Sequence, residues 1–140
     1  MCYLSPMRYL LYCLFITTGL AAQSTENTDR YAVLTPVQTQ LDAYNTGDID
    51  RFLSAYADSV KIYSFPDQLT STGKRQLRET YGAMFARMPD LQCRLVSRTV
   101  MGNRVLDHES VVWEKGQPAT EVVAIYLVED GLIQEVRFLR

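Results

Sequence analysis

Three polar residues stand side by side within an apolar stretch, at Asp107, His108 and Glu109. Because successive side chains of a strand point to opposite faces, Asp107 and Glu109 share one face and His108 lies on the other. If the two carboxyl groups border an apolar cavity, desolvation and mutual repulsion raise at least one of their pKa values towards neutrality. Such a group can act as a general acid or base, and these three residues are the candidate catalytic residues.

Two other arrangements are open for the same strand. If His108 points inward, its neutral imidazole can serve as the base. If the polar residues lie on the outer face, or pair with Arg98, Arg104 or Arg137, they stabilise the sheet and carry no chemistry. The sequence alone does not choose among the three arrangements.

Aromatic side chains supply the candidate ligand contacts. Tyr44 and Tyr81 fall on apolar faces of predicted helices, where a buried ring still needs a partner for its hydroxyl. Such a hydroxyl can donate to a carbonyl or hydroxyl group of a ligand, although ordinary core packing explains the same positions. The candidate ligand-binding residues are Tyr44, Tyr63, Tyr81, Phe85, Trp113 and Tyr126.

No group of residues in the sequence has the spacing of a metal or cofactor site. The chain has one histidine, and its three cysteines, Cys2, Cys13 and Cys93, lack the spacing of a zinc site. Gly73 and Lys74 are adjacent but lack the rest of a phosphate-binding loop. We therefore expect no metal, no cofactor, and a Cys93 that is buried as a small apolar side chain.

The periodicity of the apolar side chains predicts three helices that position these residues. Thr35 is expected to cap the first helix, with Pro36 at its first position and Gly47 at its end. Asp48 is expected to cap a short second helix. The third helix follows a turn-rich loop and stops before Pro89.

Strands dominate the rest of the chain. A first strand is predicted at residues 60–65, and Pro66 stops it. Four runs with a two-residue period follow the third helix, and the Asp130-Gly131 pair between the last two is a strong hairpin signal. These runs cover residues 91–100, 104–113, 120–128 and 132–139. The predicted fold is α+β, with three N-terminal helices packed on a strongly curved, mostly antiparallel sheet around a pocket.

Residues 1–22 are predicted to be a signal peptide. Arg8 precedes a short apolar run, and small residues follow it. The run is short for a bilayer span, although a retained anchor is an alternative reading, and Met7 is an alternative start. We therefore expect an exported protein, periplasmic or secreted, with no stable membrane insertion once the leader is removed.

The remaining chain divides into a flexible tether at residues 23–30 and one domain at residues 31–140. Without residues 1–22 the chain holds 13 basic and 16 acidic side chains, a net charge of −3. A mildly acidic surface argues against nucleic acid as a partner, since binding to phosphates needs a basic face.

Five segments of the chain resemble one family. They cover residues 41–49, 56–60, 102–109, 124–126 and 130–133. On these segments the chain resembles the SnoaL-like branch of the nuclear-transport-factor-2-like superfamily, which includes the ketosteroid isomerases. The resemblance implies a cone-shaped fold with a pocket and a homodimer formed through the open sheet face. It does not identify a reaction, because this fold hosts isomerases, dehydratases, cyclases, hydrolases and non-catalytic modules.

The isomerase resemblance also implies positions for catalytic residues, and this chain departs from them. Those enzymes use a tyrosine in the first helix, an aspartate base after the first strand and a protonated aspartate on a late strand. The matching positions here hold Gln40, Ser64, and Val123 or a neighbour of it, and none keeps that chemistry. The resemblance thus implies the isomerase fold without the isomerase catalytic residues.

Two functions follow from these observations. The first is a pocket protein that binds a small, largely apolar molecule and performs cofactor-free acid/base chemistry of the isomerase, dehydratase or cyclase type. The second is a non-catalytic dimerisation or interaction module. A ligand site requires a cavity of about 300 Å³ or more with convergent polar groups, whereas a filled cone has none.

Overall fold

The computed structural model describes the backbone of residues 18–140 and the side chains from residue 29 onward. Most of the predicted signal peptide falls on residues 1–17, which lie outside the described residues. Among the helices of residues 18–140, none is long and apolar enough to cross a membrane.

The described chain forms an α+β fold, as the sequence predicts. The helices are α1 (Thr18–Thr46), α2 (Ile49–Ser54) and α3 (Gly73–Arg87). The strands are β1 (Tyr56–Ser64), β2 (Gln68–Thr72), β3 (Gln92–Met101), β4 (Arg104–Val112), β5 (Thr120–Glu129) and β6 (Leu132–Leu139). They form one sheet in the order β2-β1-β6-β5-β4-β3. All neighbouring strands are antiparallel except β1 and β6.

Helix α1 is longer than predicted. The predicted start at Thr35 is wrong, because the helix runs through Thr35 and Pro36 and includes residues 23–30, which were expected to be a tether. Pro36 therefore lies inside the helix, where it lacks the backbone donor that other residues supply. The Thr35 hydroxyl donates to the Tyr31 carbonyl at 2.7 Å, the bond a threonine makes inside a helix rather than at its cap.

The predicted end of α1 is confirmed. Gly47 adopts a φ of 66°, and the Asp48 amide donates to the Ala43 carbonyl at 3.0 Å, which closes the last turn. The Asp48 carboxylate then accepts from the Arg51 amide at 3.0 Å and caps α2, as expected. The two caps together fix the turn that joins α1 to α2.

One strand was missed. Strand β2 lies within the segment predicted as a turn-rich loop, and β1 begins at Tyr56 instead of residue 60. Strand β2 is a polar edge strand that pairs only with β1, so its sequence has no apolar alternation to mark it.

The two faces of the sheet differ in burial. The face covered by α1 and α3, here called the concave face, holds Asp107 and Glu109 on β4, and both are buried. Their neighbours on that face are also buried: Val105, Val111, Val122, Ala124, Tyr126 and Val128. The opposite face, here called the convex face, is half-buried along β5. The carboxyl groups of β4 therefore face the helices.

Candidate functional site

A cavity of about 260 Å³ lies between the helices and the concave face. This volume is slightly below the range of about 300 Å³ and more that is typical of ligand sites. It exceeds the cavity of about 150 Å³ that admits benzene, so it has room for about one substituted ring. Polar groups from α1, β1, β2 and β4 converge on it within a largely apolar wall.

Glu109 is the one carboxyl group in the described wall of this cavity. Its side chain is buried, and burial is the main cause that raises its pKa to about 7. The negative charge of Asp107 raises the pKa further, while hydrogen bonds from Tyr126 and Cys93 and the charge of Arg98 oppose the rise. Near neutral pH, Glu109 is therefore present in both protonation states.

A chain of hydrogen bonds ends on Glu109. The Tyr56 hydroxyl donates to Oε1 of Gln40 at 3.3 Å, and Nε2 of Gln40 donates to the Tyr126 hydroxyl at 3.0 Å. The Tyr126 hydroxyl donates in turn to Oε1 of Glu109 at 3.3 Å. Burial raises the pKa of both tyrosines well above the usual value, so both remain protonated donors. The chain holds the carboxyl group in place and stabilises its ionised form.

Asp107 has a different environment. It is fully buried and binds Arg98 through two bonds, Nε to Oδ1 at 2.7 Å and Nη2 to Oδ2 at 2.6 Å. Nη1 of Arg98 also donates to Oε1 of Gln38 at 2.9 Å. Asp107 does not line the cavity. The structure therefore gives this candidate catalytic residue the ion pair with Arg98 that the sequence left open as an alternative.

The profile of the SnoaL-like domain family matches residues 37–136, most of the described chain. The chain belongs to the SnoaL-like domain family. A search of curated proteins found no match.

Solved structures share the fold of this SnoaL-like domain. An uncharacterised cystatin-fold protein from Novosphingobium aromaticivorans is 27% identical with a TM-score of 0.70, over 77% of this chain and 97% of the other. A SnoaL-like protein of unknown function from Burkholderia thailandensis is 20% identical with a TM-score of 0.64, over 77% and 92%. A protein from Jannaschia sp. CCS1, assigned provisionally as a SnoaL-like polyketide cyclase, is 16% identical with a TM-score of 0.64, over 77% and 84%.

His108 lies outside the cavity of the SnoaL-like domain. Its side chain is on the convex face, where its ring bonds to Glu121. The arrangement in which His108 points inward is therefore not the one in the structure, because alternation along β4 places Glu109 inward instead. His108 cannot exchange a proton with a molecule in the cavity.

The candidate ligand-binding residues divide into two groups. Four of them line the cavity: Tyr44, Tyr81, Trp113 and Tyr126. Two do not. Tyr63 lies on the convex face with the Arg137 guanidinium 4.3 Å from its ring centre, and Phe85 packs edge to face behind Tyr44 at 5.6 Å. Phe85 follows the cavity-lining Tyr81 and Met84 along α3, but its ring packs against Tyr44 and does not reach the cavity.

Several polar residues of the cavity wall are absent from the candidate ligand-binding set: Gln40, Ser64, Thr70, Ser71, Thr80 and Arg140. Gln40 and Ser64 line the cavity at the two positions where the isomerase pattern has a tyrosine and an aspartate, whereas Val123 lies outside it. Two of the three positions implied by the resemblance therefore lie in the cavity wall, although their residue types differ from the isomerase pattern. Ser71 belongs to the strand that the sequence did not reveal.

Proposed function

We propose that this SnoaL-like domain binds a small, largely apolar molecule and exchanges a proton with it through Glu109, without a cofactor. The observation that supports this most is an enclosed carboxyl group, with a pKa of about 7, in the wall of a mostly apolar cavity. A group with a pKa near the ambient pH can take a proton from carbon or oxygen and return it elsewhere on the same molecule. Isomerisation, dehydration and cyclisation of the cyclase type all use such a step.

The surrounding residues have separate roles in this proposal. Glu109 carries the proton. Tyr126, held by Gln40, stabilises the ionised form of Glu109 and fixes its orientation. Tyr44 and Trp113 contact the apolar body of the ligand, and the Trp113 ring is fixed by its own bond to the Thr120 hydroxyl at 3.0 Å.

The first test is native mass spectrometry of the protein purified without denaturation. A reproducible small-molecule adduct that disappears on unfolding supports the proposal, and its mass defines the substrates to try. A panel of small cyclic ketones and enones then tests for exchange of carbon-bound hydrogen with D₂O, read by NMR. Glu109→Gln is expected to abolish the exchange with the fold intact.

Glu121→Gln is the matched control for this experiment. It makes the same chemical change on the convex face, where the Glu121 side chain is 59% exposed. Exchange that survives in Glu109→Gln, or that is lost equally in Glu121→Gln, rules out Glu109 as the proton carrier.

A second candidate function is a non-catalytic dimerisation module. On the convex face the exposed Leu139 (47%) lies opposite the half-buried Val123 of the neighbouring strand. Apolar side chains grouped in this way are typical of protein interfaces. The native spectrum gives the subunit number, and Leu139→Glu is expected to convert a homodimer to a monomer. A monomeric wild-type protein contradicts this candidate.

Export is a further part of the proposed function and is supported only by the sequence of residues 1–22. The intact mass of the protein recovered from an exported fraction tests it. A mass lower by about the first 22 residues indicates a cleaved signal peptide. A full-length mass in the membrane fraction supports the retained anchor instead.

A further inference from the structure

The entrance of the cavity carries a positive charge. Arg140 is exposed, and it also belongs to the cavity wall. The central carbon of its guanidinium lies 5.5 Å from the ring centre of Phe138 and 6.0 Å from that of Trp113, and both rings line the cavity. Contacts of this kind hold a guanidinium against aromatic rings. The Arg140 charge therefore lies where the cavity meets solvent.

No side chain in the described part of the chain supplies a counter-ion for this charge. No carboxylate side chain there lies within 4.0 Å of Arg140, in contrast to Arg98 and Arg137, which both form ion pairs. The single carboxyl group in the described wall, Glu109, is buried and largely protonated below pH 7. The cavity thus has a cation at its entrance that no described side chain neutralises.

A hydroxyl group of the wall is also without a partner. The Oγ atom of Ser71 is enclosed and forms no hydrogen bond with any described residue. By contrast, the hydroxyl of the neighbouring Thr70 has a partner, since it donates to the Ile62 carbonyl at 3.1 Å. An enclosed hydroxyl without a partner is unfavourable, so a ligand oxygen that accepts from Ser71 would remove that penalty.

We propose that the ligand of this cavity is a small carboxylate built on about one unsaturated ring, whose anionic group pairs with Arg140. This inference rests on the proposed function, and it specifies the substrate class of the same cavity. The ring lies between Tyr44, Tyr81 and Trp113 and extends towards Glu109, and Ser71 donates to an oxygen of the ligand. A planar guanidinium can bind both oxygens of a carboxylate at once.

The test compares an acid with its neutral counterpart. Binding of cinnamate and of cinnamamide to the full-length protein is measured by calorimetry at pH 7 and low salt. Wild-type protein is expected to bind cinnamate about three- to fivefold more tightly than the amide, since the bond to the exposed Arg140 is charge-assisted but screened by solvent. Added salt is expected to reduce this preference, because the pair lies at the surface.

Two variants test whether Arg140 causes the preference for cinnamate over cinnamamide. Arg140→Gln is expected to abolish it, whereas Arg104→Gln, which removes the same charge from an exposed site at the far end of β4, is expected to leave it intact. Circular dichroism and thermal unfolding confirm that each variant is folded.

Each outcome distinguishes this inference from the proposed function. Equal binding of acid and amide, or a preference that survives in Arg140→Gln, overturns the carboxylate assignment and leaves proton transfer by Glu109 standing. Failure of both probes to bind also overturns the one-ring carboxylate. Binding with the expected preference, but without any proton exchange that depends on Glu109, supports the ligand class and overturns the catalytic proposal.

Discussion

Asp107 and Glu109 lie two residues apart on one face of β4, yet their environments are opposite. Asp107 is fully buried and forms two bonds to an arginine. Glu109 is equally enclosed, but the side chains that bond to it are neutral donors. The comparison shows that burial alone does not determine what a carboxyl group does. The charge of its partner decides whether a buried carboxyl group forms an ion pair, as Asp107 does, or has a raised pKa, as Glu109 does.

The partner of Asp107 is set by the pairing of β3 with β4. Leu95 lies opposite Glu109, and Arg98 lies opposite Asp107. Between these two pairs the register shifts by one residue, which makes Val96 the extra residue of a bulge. Without that shift, Ser97 would lie opposite Asp107 and the arginine would be out of register.

Removal of the Asp107 carboxylate is expected to have the largest effect. Asp107→Ala leaves the mostly buried Arg98 guanidinium without its partner, so the free energy of unfolding should fall by about 3 to 5 kcal/mol. Urea unfolding measures the change. Asp50→Ala, which breaks an exposed ion pair with Arg78, is the control and should cost less than about 1 kcal/mol. A loss as small as that of the control would show that the buried pair contributes little to stability.

Glu109→Gln should instead remove part of the pH dependence of the free energy of unfolding. The folded pKa of Glu109 is raised from 4.5 to about 7, so the folded state binds the proton more tightly than the unfolded chain does. Its contribution is therefore most favourable below pH 4.5 and is lost as the pH rises to about 7. The loss is on the order of 3 kcal/mol. Urea unfolding of wild type and variant at pH 5 and pH 8 gives the difference, and parallel pH profiles would contradict the raised pKa.

Tyr126→Phe should have a smaller effect than loss of the Asp107 or Glu109 carboxyl group. It removes the donor to Glu109 and leaves the Gln40 amide without its acceptor, which should cost about 1 to 2 kcal/mol of unfolding free energy. Because the Tyr126 hydroxyl stabilises the ionised carboxyl group, its loss should raise the Glu109 pKa above 7. NMR titration of the Glu109 carboxyl carbon measures this shift. A lowered pKa would contradict the direction of the hydrogen bond, and exposed Tyr31→Phe is the control.

The sequence predicts those features that depend on near neighbours. Alternation along β4 places Asp107 and Glu109 on one face, and the Asp130-Gly131 pair forms the expected turn with both residues at positive φ. Features set by distant partners were not predictable. Nothing near Asp107 in the sequence indicates the bulge that brings Arg98 opposite it, and the polar strand β2 is stabilised only by pairing with β1.

The smallest expected effect is that of His108→Ala on the convex face of the same strand. His108 and Glu121 are 41% and 59% exposed, and solvent screens such a pair. We therefore expect no resolvable change in the urea midpoint, in cinnamate binding or in the pH profile of proton exchange. His108→Ala therefore serves as the convex-face control for the pH dependence assigned to Glu109. A profile that moves in His108→Ala and not in Glu109→Gln would transfer the proton-carrying role to the convex face and overturn the assignment to the cavity.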